Sequence, residues 1–375
     1  MISRRSFFKA AGVSAAVAVS TSFPAELLSW AEPQRRQQPG GPILLNSNEN
    51  AYGPFPSVAA LPNPFLDANR YPDTSVEWLR AQVAKLHNVT PDHIVLGCGS
   101  TEILKICASA FSGPNRKVIM ASPTFEAIEA YGKAAGAEVV KLELMSDTYA
   151  HHIAAMQAEA QKNGGLIYIC NPNNPTGSLT PRRTLENLVR ELPDGVYVLM
   201  DEAYHDFVPV AADYISFADH PVNQDRVIVA RTFSKIYGLA GLRVGYAVTS
   251  PKTAKLIARH KQEDSANILA LRCALASLED QDELQVAILR NANDRETFAH
   301  EAMKRKLRPI PSWTNFVMMN TFRPVKTVID HFKQNNILIG RPFPPMDTFA
   351  RVSLGTPEQM KQFWAVWDKL PVLKD

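Results

Sequence analysis

From Ile94 onward, short apolar runs alternate with stretches whose apolar positions recur every three or four residues. The runs at Ile94–Leu96, Lys117–Met120, Glu138–Leu142, Leu166–Cys170, Val196–Met200, Arg226–Ala230 and Val244–Val248 are short and bounded by polar or turn-forming residues, which predicts buried strands. The segments between them read as helices, and so does the earlier stretch Ser75–Leu86, with Val76, Leu79, Val83 and Leu86 on one face. Strands alternating with helices predict an α/β fold with a mainly parallel sheet covered on both faces. After Lys252 the pattern becomes long, helical and charged as far as Lys306. Further strands are expected at Asn315–Met319, Ile337–Ile339 and Phe349–Leu354, in a smaller α+β unit. Glu32–Pro42 reads as a flexible leader. Leu44–Pro54 and Arg70–Asp73 show no helix or strand period and read as ordered arms.

Several strand ends carry residues that a purely structural role does not explain. Ile94–Leu96 runs into Gly97-Cys98-Gly99-Ser100-Thr101-Glu102 and then a helix from Ile103. Glycines and hydroxyls at a strand-to-helix turn present free backbone N–H groups at the positive end of the helix, a cradle for an anion. A dinucleotide fingerprint would want a further glycine where Glu102 stands. Leu166–Cys170 leads into Asn171-Pro172-Asn173-Asn174-Pro175-Thr176-Gly177, with more amides than a turn requires. Asp201, directly after an apolar run, is either a helix N-cap or a buried anion awaiting a cation. Lys235 leaves the Arg226–Ala230 strand among Thr232, Ser234, Gly238, Gly241, Arg243 and Gly245. It is either a surface lysine in a polar loop or an amine desolvated enough to attack a carbonyl and form a Schiff base.

Composition narrows the class. The chain has 375 residues, 46% of them hydrophobic and 21% charged, with a formal charge of +3; this is globular and long enough for two cores. No basic tract interleaved with aromatics points to nucleic acid. Ser3-Arg4-Arg5-Ser6-Phe7-Phe8-Lys9, a weakly apolar run from Ala10 to Val19, and the small residues Ser29 and Ala31 resemble a twin-arginine export signal cut after Ala31. The run is too short and alanine-rich for a stable membrane span. A periplasmic location reached through the twin-arginine machinery is therefore expected, with the cytoplasm as the alternative. Cys98, Cys107, Cys170 and Cys273 form no CxxC pair, and His151, His152 and His205 lack metal-ligand spacing, so no metal is expected.

Taken together, the motifs resemble the fold-type I pyridoxal-phosphate aminotransferases, and most closely their histidinol-phosphate branch. Seven occur in family order: Asn48-Glu49-Asn50-Ala51-Tyr52-Gly53, Tyr71-Pro72-Asp73, Gly97 to Glu102, Asn171 to Gly177, Asp201-Glu202-Ala203-Tyr204, Ser234-Lys235 with Gly238 to Gly245, and Arg351 with Gly355-Thr356-Pro357-Glu358. The resemblance implies a large domain (71–265) built on a seven-stranded sheet and a small domain (266–375). An arm at 32–70 would belong partly to the small domain, and the signal would be 1–31. It implies that Lys235 holds the cofactor covalently and moves the substrate proton, while Asp201 pairs with the ring nitrogen. Asn174 and Tyr204 would bond the phenolic oxygen. Phe125 would stack on the ring where the family often has tyrosine, so one hydrogen bond is expected to be missing. Gly99, Ser100, Thr101, Thr232, Ser234 and Arg243 would hold the phosphate. Tyr71 would reach the phosphate of a neighbouring subunit, implying a homodimer with shared sites. Arg351 would fork the substrate α-carboxylate, with Asn174 beside it, while Tyr52 and Arg341 read the rest of the substrate.

The implied substrates are an amino acid (histidinol-phosphate-like, aromatic or glutamate-type) and a 2-oxo acid or carbonyl acceptor. A decarboxylase of the threonine-phosphate type or a lyase could use the same scaffold, because the cofactor residues do not fix which Cα bond breaks. A non-catalytic cofactor-binding protein is the remaining alternative.

Overall fold

The computed structural model describes residues 41–371, except 64, 66, 210–212, 222 and 224. The expected export signal lies outside the described residues. The main sheet has seven strands: β2 (Ile94–Gly97), β3 (Lys117–Ser122), β4 (Val139–Glu143), β5 (Gly164–Cys170), β6 (Tyr197–Asp201), β7 (Val227–Thr232) and β8 (Gly245–Val248). Their order is β2-β8-β7-β6-β5-β3-β4. Only β8 runs against its neighbours, β2 and β7; the pairs from β7 to β4 are parallel.

Burial on both faces explains why these strands read as continuous apolar runs. In β5, Ile167 and Ile169 enter one core cluster while Leu166, Tyr168 and Cys170 enter the other. In β7, Val227 and Val229 alternate in the same way with Ile228 and Ala230. Such strands can sit only between two helical layers. Because β3, β5, β6 and β7 are parallel, their ends at Ser122, Cys170, Asp201 and Thr232 meet along one edge, where open α/β sheets bind ligands.

A second core lies under the antiparallel sheet β12-β10-β9, made of β9 (Arg308–Pro309), β10 (Phe316–Asn320) and β12 (Phe349–Ser353). Phe298, Phe332, Phe363 and Trp364 fill it, with the Phe332 and Phe363 rings stacked at 4.6 Å.

Two readings of the chain need correction, and a third gains detail. The first arm contains a strand, β1 (Ile43–Leu45), which pairs in parallel with β11 (Ile337–Ile339); three residues are too few to show a period. The charged stretch after Lys252 is helical as expected and divides into three helices, Pro251–Ala258, Ile268–Glu279 and Gln281–Lys304. Ser250 and Asn267 each cap the residue three ahead and so start new helices. The helix after β2 starts at Gly99, not Ile103, which draws Gly99, Ser100 and Thr101 into its first turn.

Candidate active site

The helix Gly99–Phe111 starts without a side-chain cap, so its first N–H groups face the strand edge unpaired by the usual device. Gly99 has φ +73°, and a Cβ there would run into the Arg243 guanidinium. Glycine is thus what lets Arg243 lie against the helix start. Arg243 donates to Ser234 Oγ at 3.3 Å, Thr101 Oγ1 at 3.4 Å and the Ala240 carbonyl at 2.9 Å. Thr232 Oγ1 donates to Ser234 Oγ at 2.9 Å. Among the described residues no carboxylate pairs with Arg243. Glu102, in the same first turn, is engaged elsewhere, accepting from Cys98 N at 2.6 Å and Ser265 Oγ at 2.6 Å. The result is a positive cup of hydroxyls and helix N–H groups with no anion of its own.

Beside the cup, the adjacent carboxylates of Asp201 and Glu202 have different surroundings, because successive residues at a strand end point to opposite faces. Glu202 is buried and satisfied: Arg231 reaches it at 2.9 Å, Ser216 Oγ at 2.6 Å and Phe217 N at 3.0 Å. Asp201 is 3% exposed and, among the described residues, accepts only from Tyr168 Oη at 2.7 Å and Ala203 N at 3.2 Å. Among the described residues it has no ion-pair partner. Burial pushes its carboxyl up, opposed by those two hydrogen bonds and by the Lys235 charge. A buried carboxylate without a cation is costly, and Asp201 is the one of the two that lacks one.

Lys235 follows β7 on the loop to β8 and is half-buried. Its Nζ lies 5.4 Å from the Tyr204 ring centre and donates to the Asn48 carbonyl at 3.2 Å. Burial, then the charge of Arg351, bring its pKa down to about 8, against the pull of Asp201 and Glu49. Tyr204 is buried and accepts from Asn48 Nδ2 at 3.0 Å. Arg351, on β12, is 7% exposed; it donates to Asn174 Oδ1 at 2.6 Å and the Asn46 carbonyl at 2.7 Å, while its Nε has no partner. Burial lowers it to about 10, and among the described residues no carboxylate faces it. The surplus amides of the 171–177 loop separate cleanly. Asn171 bonds Thr180, and Asn173 bonds Thr124 and Thr176; both staple the loop, and Asn174 alone turns to Arg351.

Four expected residues make no hydrogen bond to this cluster among the described residues. Tyr52 donates to Asp294 at 2.8 Å with Arg290 stacked 4.6 Å from its ring centre, so its hydroxyl is committed to the helix Gln281–Lys304. Arg341 is half-exposed and bonds Glu126 at 2.6 Å. Phe125 is 37% exposed on the loop after β3, and Tyr71 is 80% exposed. Conversely, three residues at the centre had no role assigned from sequence. Asn48 joins Tyr204, Lys235 and Ser353; Asn315 holds the Asn48 and Glu49 carbonyls, each at 3.1 Å; and Tyr168 holds Asp201. Asn48 receives Lys235 and Asn315 on its main-chain carbonyl, the Asn315 side-chain amide acts on main-chain carbonyls, and Tyr168 looks like an ordinary core aromatic in an apolar run.

The profile of the aminotransferase class I and II family matches residues 41–366. A histidinol-phosphate aminotransferase of Moorella thermoacetica is 33% identical over 324 residues, 86% of this chain and 83% of that protein. A histidinol-phosphate aminotransferase 2 of Carboxydothermus hydrogenoformans is 34% identical over 323 residues, 85% of this chain and 88% of that protein. Among solved structures, histidinol-phosphate aminotransferase from Sinorhizobium meliloti, in complex with pyridoxal-5'-phosphate, aligns with a TM-score of 0.83. It is 26% identical and the match covers 95% of this chain and all of that one (100%). Pyridoxal phosphate carries a phosphate, a basic ring nitrogen and an aldehyde. The site answers each with an unpaired guanidinium at a helix N-terminus, a buried unpaired carboxylate and an amine that deprotonates easily, so the residues fit the group. This chain belongs to the class I and II aminotransferases and is a pyridoxal-phosphate-dependent enzyme of that family.

Proposed function

We propose that the enzyme moves an amino group between an amino acid whose α-carboxylate Arg351 holds and a 2-oxo acid, with Lys235 as nucleophile and proton carrier. When bound, pyridoxal phosphate supplies the carbonyl that captures the amino group and the ring that takes up the Cα electrons. Arg243, Ser234, Thr232, Thr101, Ser100 and the Gly99 backbone would hold its phosphate. Asp201 would keep a proton on the ring nitrogen, Tyr204 and Asn174 would bond the phenolic oxygen, and Phe125 would cover the ring. Lys235 would take the proton from the substrate Cα and later give it up, acting as general base and then general acid. Arg351 forks the α-carboxylate and so fixes which Cα bond faces Lys235.

One observation carries this reading. A half-buried lysine with its pKa near 8 sits where burial and the Arg351 charge disfavour its proton, and both Arg351 and Asp201 lack counter-ions among the described residues. Lys235→Ala is the test: it should abolish turnover while the phosphate cup still retains the cofactor non-covalently. Full turnover by that variant, without added amine, rejects the assignment. Amino donors are then ranked by the fraction of parent enzyme converted to the pyridoxamine form.

Two parts of the reading concern the protein's surroundings. Tyr71, exposed and without a hydrogen bond among the described residues, is free to reach a neighbouring subunit in a homodimer with shared sites. Residues 1–31 would direct export to the periplasm by the twin-arginine route. In that compartment the substrate need not be the phosphate ester for which the relatives are named.

A further inference from the structure

Arg351 is not the only cation at the substrate end of the site. Its Cζ lies 4.8 Å from the centre of the Phe343 ring, and the Cζ of Arg341 lies 4.3 Å from the same centre. The two guanidinium groups are therefore no more than about 9 Å apart, within roughly one Debye length at physiological salt. Arg351 is buried and Arg341 is half-exposed. Left alone, the pair would offer two positive charges to any ligand carrying one carboxylate and a second anionic group.

The second charge is already answered from within the chain. Glu126 Oε2 accepts from Arg341 Nη2 at 2.6 Å, and Arg341 Nη1 donates to the Pro342 carbonyl at 2.8 Å. Glu126 directly follows Phe125 on the loop between β3 and the helix Ala127–Ala134, whereas Arg341 directly follows Gly340 at the end of β11. The contact thus runs from the loop that carries the ring-covering aromatic to the small sheet. With Glu126 in place, the two arginines and one carboxylate leave a single net positive charge, matched to one α-carboxylate.

We propose that Glu126 sets specificity at the far end of the substrate site, by holding Arg341 and disfavouring ligands with a second anionic group, phosphate above all. The inference rests on Arg351 being the α-carboxylate clamp. An incoming phosphate must take Arg341 from Glu126 and then remain beside the displaced carboxylate. The ion pair itself is weak, since its side chains are 51% and 57% exposed and such pairs contribute about 0–1 kcal/mol. Exchange is therefore easy, and the discrimination comes from like-charge repulsion after exchange, which is greater for a dianionic phosphate than for a second carboxylate. Substrates with an uncharged distal part pay neither cost.

The test compares two ligands that cannot react because they have neither an amine nor an aldehyde or ketone group: valerate, with one carboxylate, and phosphonobutyrate, with a carboxylate and a phosphonate. Their dissociation constants are measured by calorimetry on the holoenzyme. Parent enzyme should bind phosphonobutyrate no more tightly than valerate. Glu126→Gln should tighten phosphonobutyrate about 10-fold, equivalent to about 1.4 kcal/mol, and change valerate by less than about 2-fold; the gain should shrink as salt is added. Combining Glu126→Gln with Arg341→Gln should remove the gain. If Glu126→Gln shifts both ligands equally, or neither, Glu126 is only a tether between the two loops and the proposal fails. Arg351→Gln separates the two layers of the reading. Loss of valerate binding there, with no selectivity change in Glu126→Gln, defeats the Glu126 proposal alone. Retained valerate binding defeats the clamp assignment and this proposal with it.

Discussion

Lys235 owes its reactivity to neighbours that disagree about its charge. Burial and the guanidinium groups of Arg351 and Arg243 disfavour the ammonium form, Asp201 and Glu49 favour it, and the balance leaves the pKa near 8. The neutral, nucleophilic amine is therefore populated as pH rises through about 8, not above 10 as for a free lysine. In the cofactor-free protein, labelling of Lys235 by an amine-reactive probe, followed by mass spectrometry, should show its midpoint near pH 8. Arg351→Gln should move that midpoint upward; a parent midpoint above pH 10 contradicts the account. The same shift bears on stability. A lysine with a folded pKa below its unfolded value opposes folding most fully below about pH 8, and the penalty fades as pH rises toward the unfolded value near 10.5. At neutral pH, Lys235→Met should accordingly melt higher than the parent when both lack cofactor, a stability gained at the expense of function. Lys235 and Asp201 could be picked out of the sequence because charged residues beside apolar strands are unusual, whereas Arg351 was reached only through the family resemblance. Asn48 and Tyr168 could not, because their neighbours are far away in the chain.

Among the elements, the loop from β7 to β8 places the lysine, and it is shaped by a close crossing. Gly238 has φ +70°, and a Cβ there would collide with the Gly53 carbonyl and come within 2.7 Å of Pro54 N. Asn50 Nδ2 donates to the Ile236 carbonyl at 2.7 Å from the same arm. Gly238→Ala must both strain the backbone and push the arm away, so it should destabilise the fold by about 1–3 kcal/mol. It should also lower turnover, because the Asn48 carbonyl moves off Lys235. Urea unfolding and initial rates check this; a variant with parent stability would mean that the arm is not tightly seated. The existence of the seven strands was legible from their apolar runs, but their ends were not. β6 continues to Asp201 and β7 to Thr232 because polar residues keep pairing in the ladder after the apolar signal stops. The helix beginning at Gly99 was hidden for a related reason, since glycine and hydroxyl residues look like a turn until the anion cup gives them a purpose.

For the molecule as a whole, the site draws on β1's arm, the main sheet and the small sheet, with Asn48, Lys235 and Arg351 far apart in the chain. Such a site exists only after folding. Were the enzyme exported with its cofactor in place, as proposed, it would need a route that carries folded proteins, and the Arg4-Arg5 pair with Phe7-Phe8 is the motif proposed to provide it. Changing Arg4 and Arg5 together to Lys keeps the charge and removes the guanidinium pair. The uncleaved, active protein should then stay in the cytoplasm; equal recovery of parent and variant from the periplasm rejects the twin-arginine reading.

The hydrogen bond from Lys235 to the arm ends on a main-chain carbonyl, that of Asn48, and Asn315 and Arg351 likewise grip main-chain carbonyls of the arm at Asn48, Glu49 and Asn46. No side-chain substitution deletes a carbonyl. An alanine survey of residues 46–50 would therefore leave several of the arm's contacts standing and make the segment look dispensable. Replacing single peptide links by esters, or cutting the chain within the arm, would reveal what such a survey conceals.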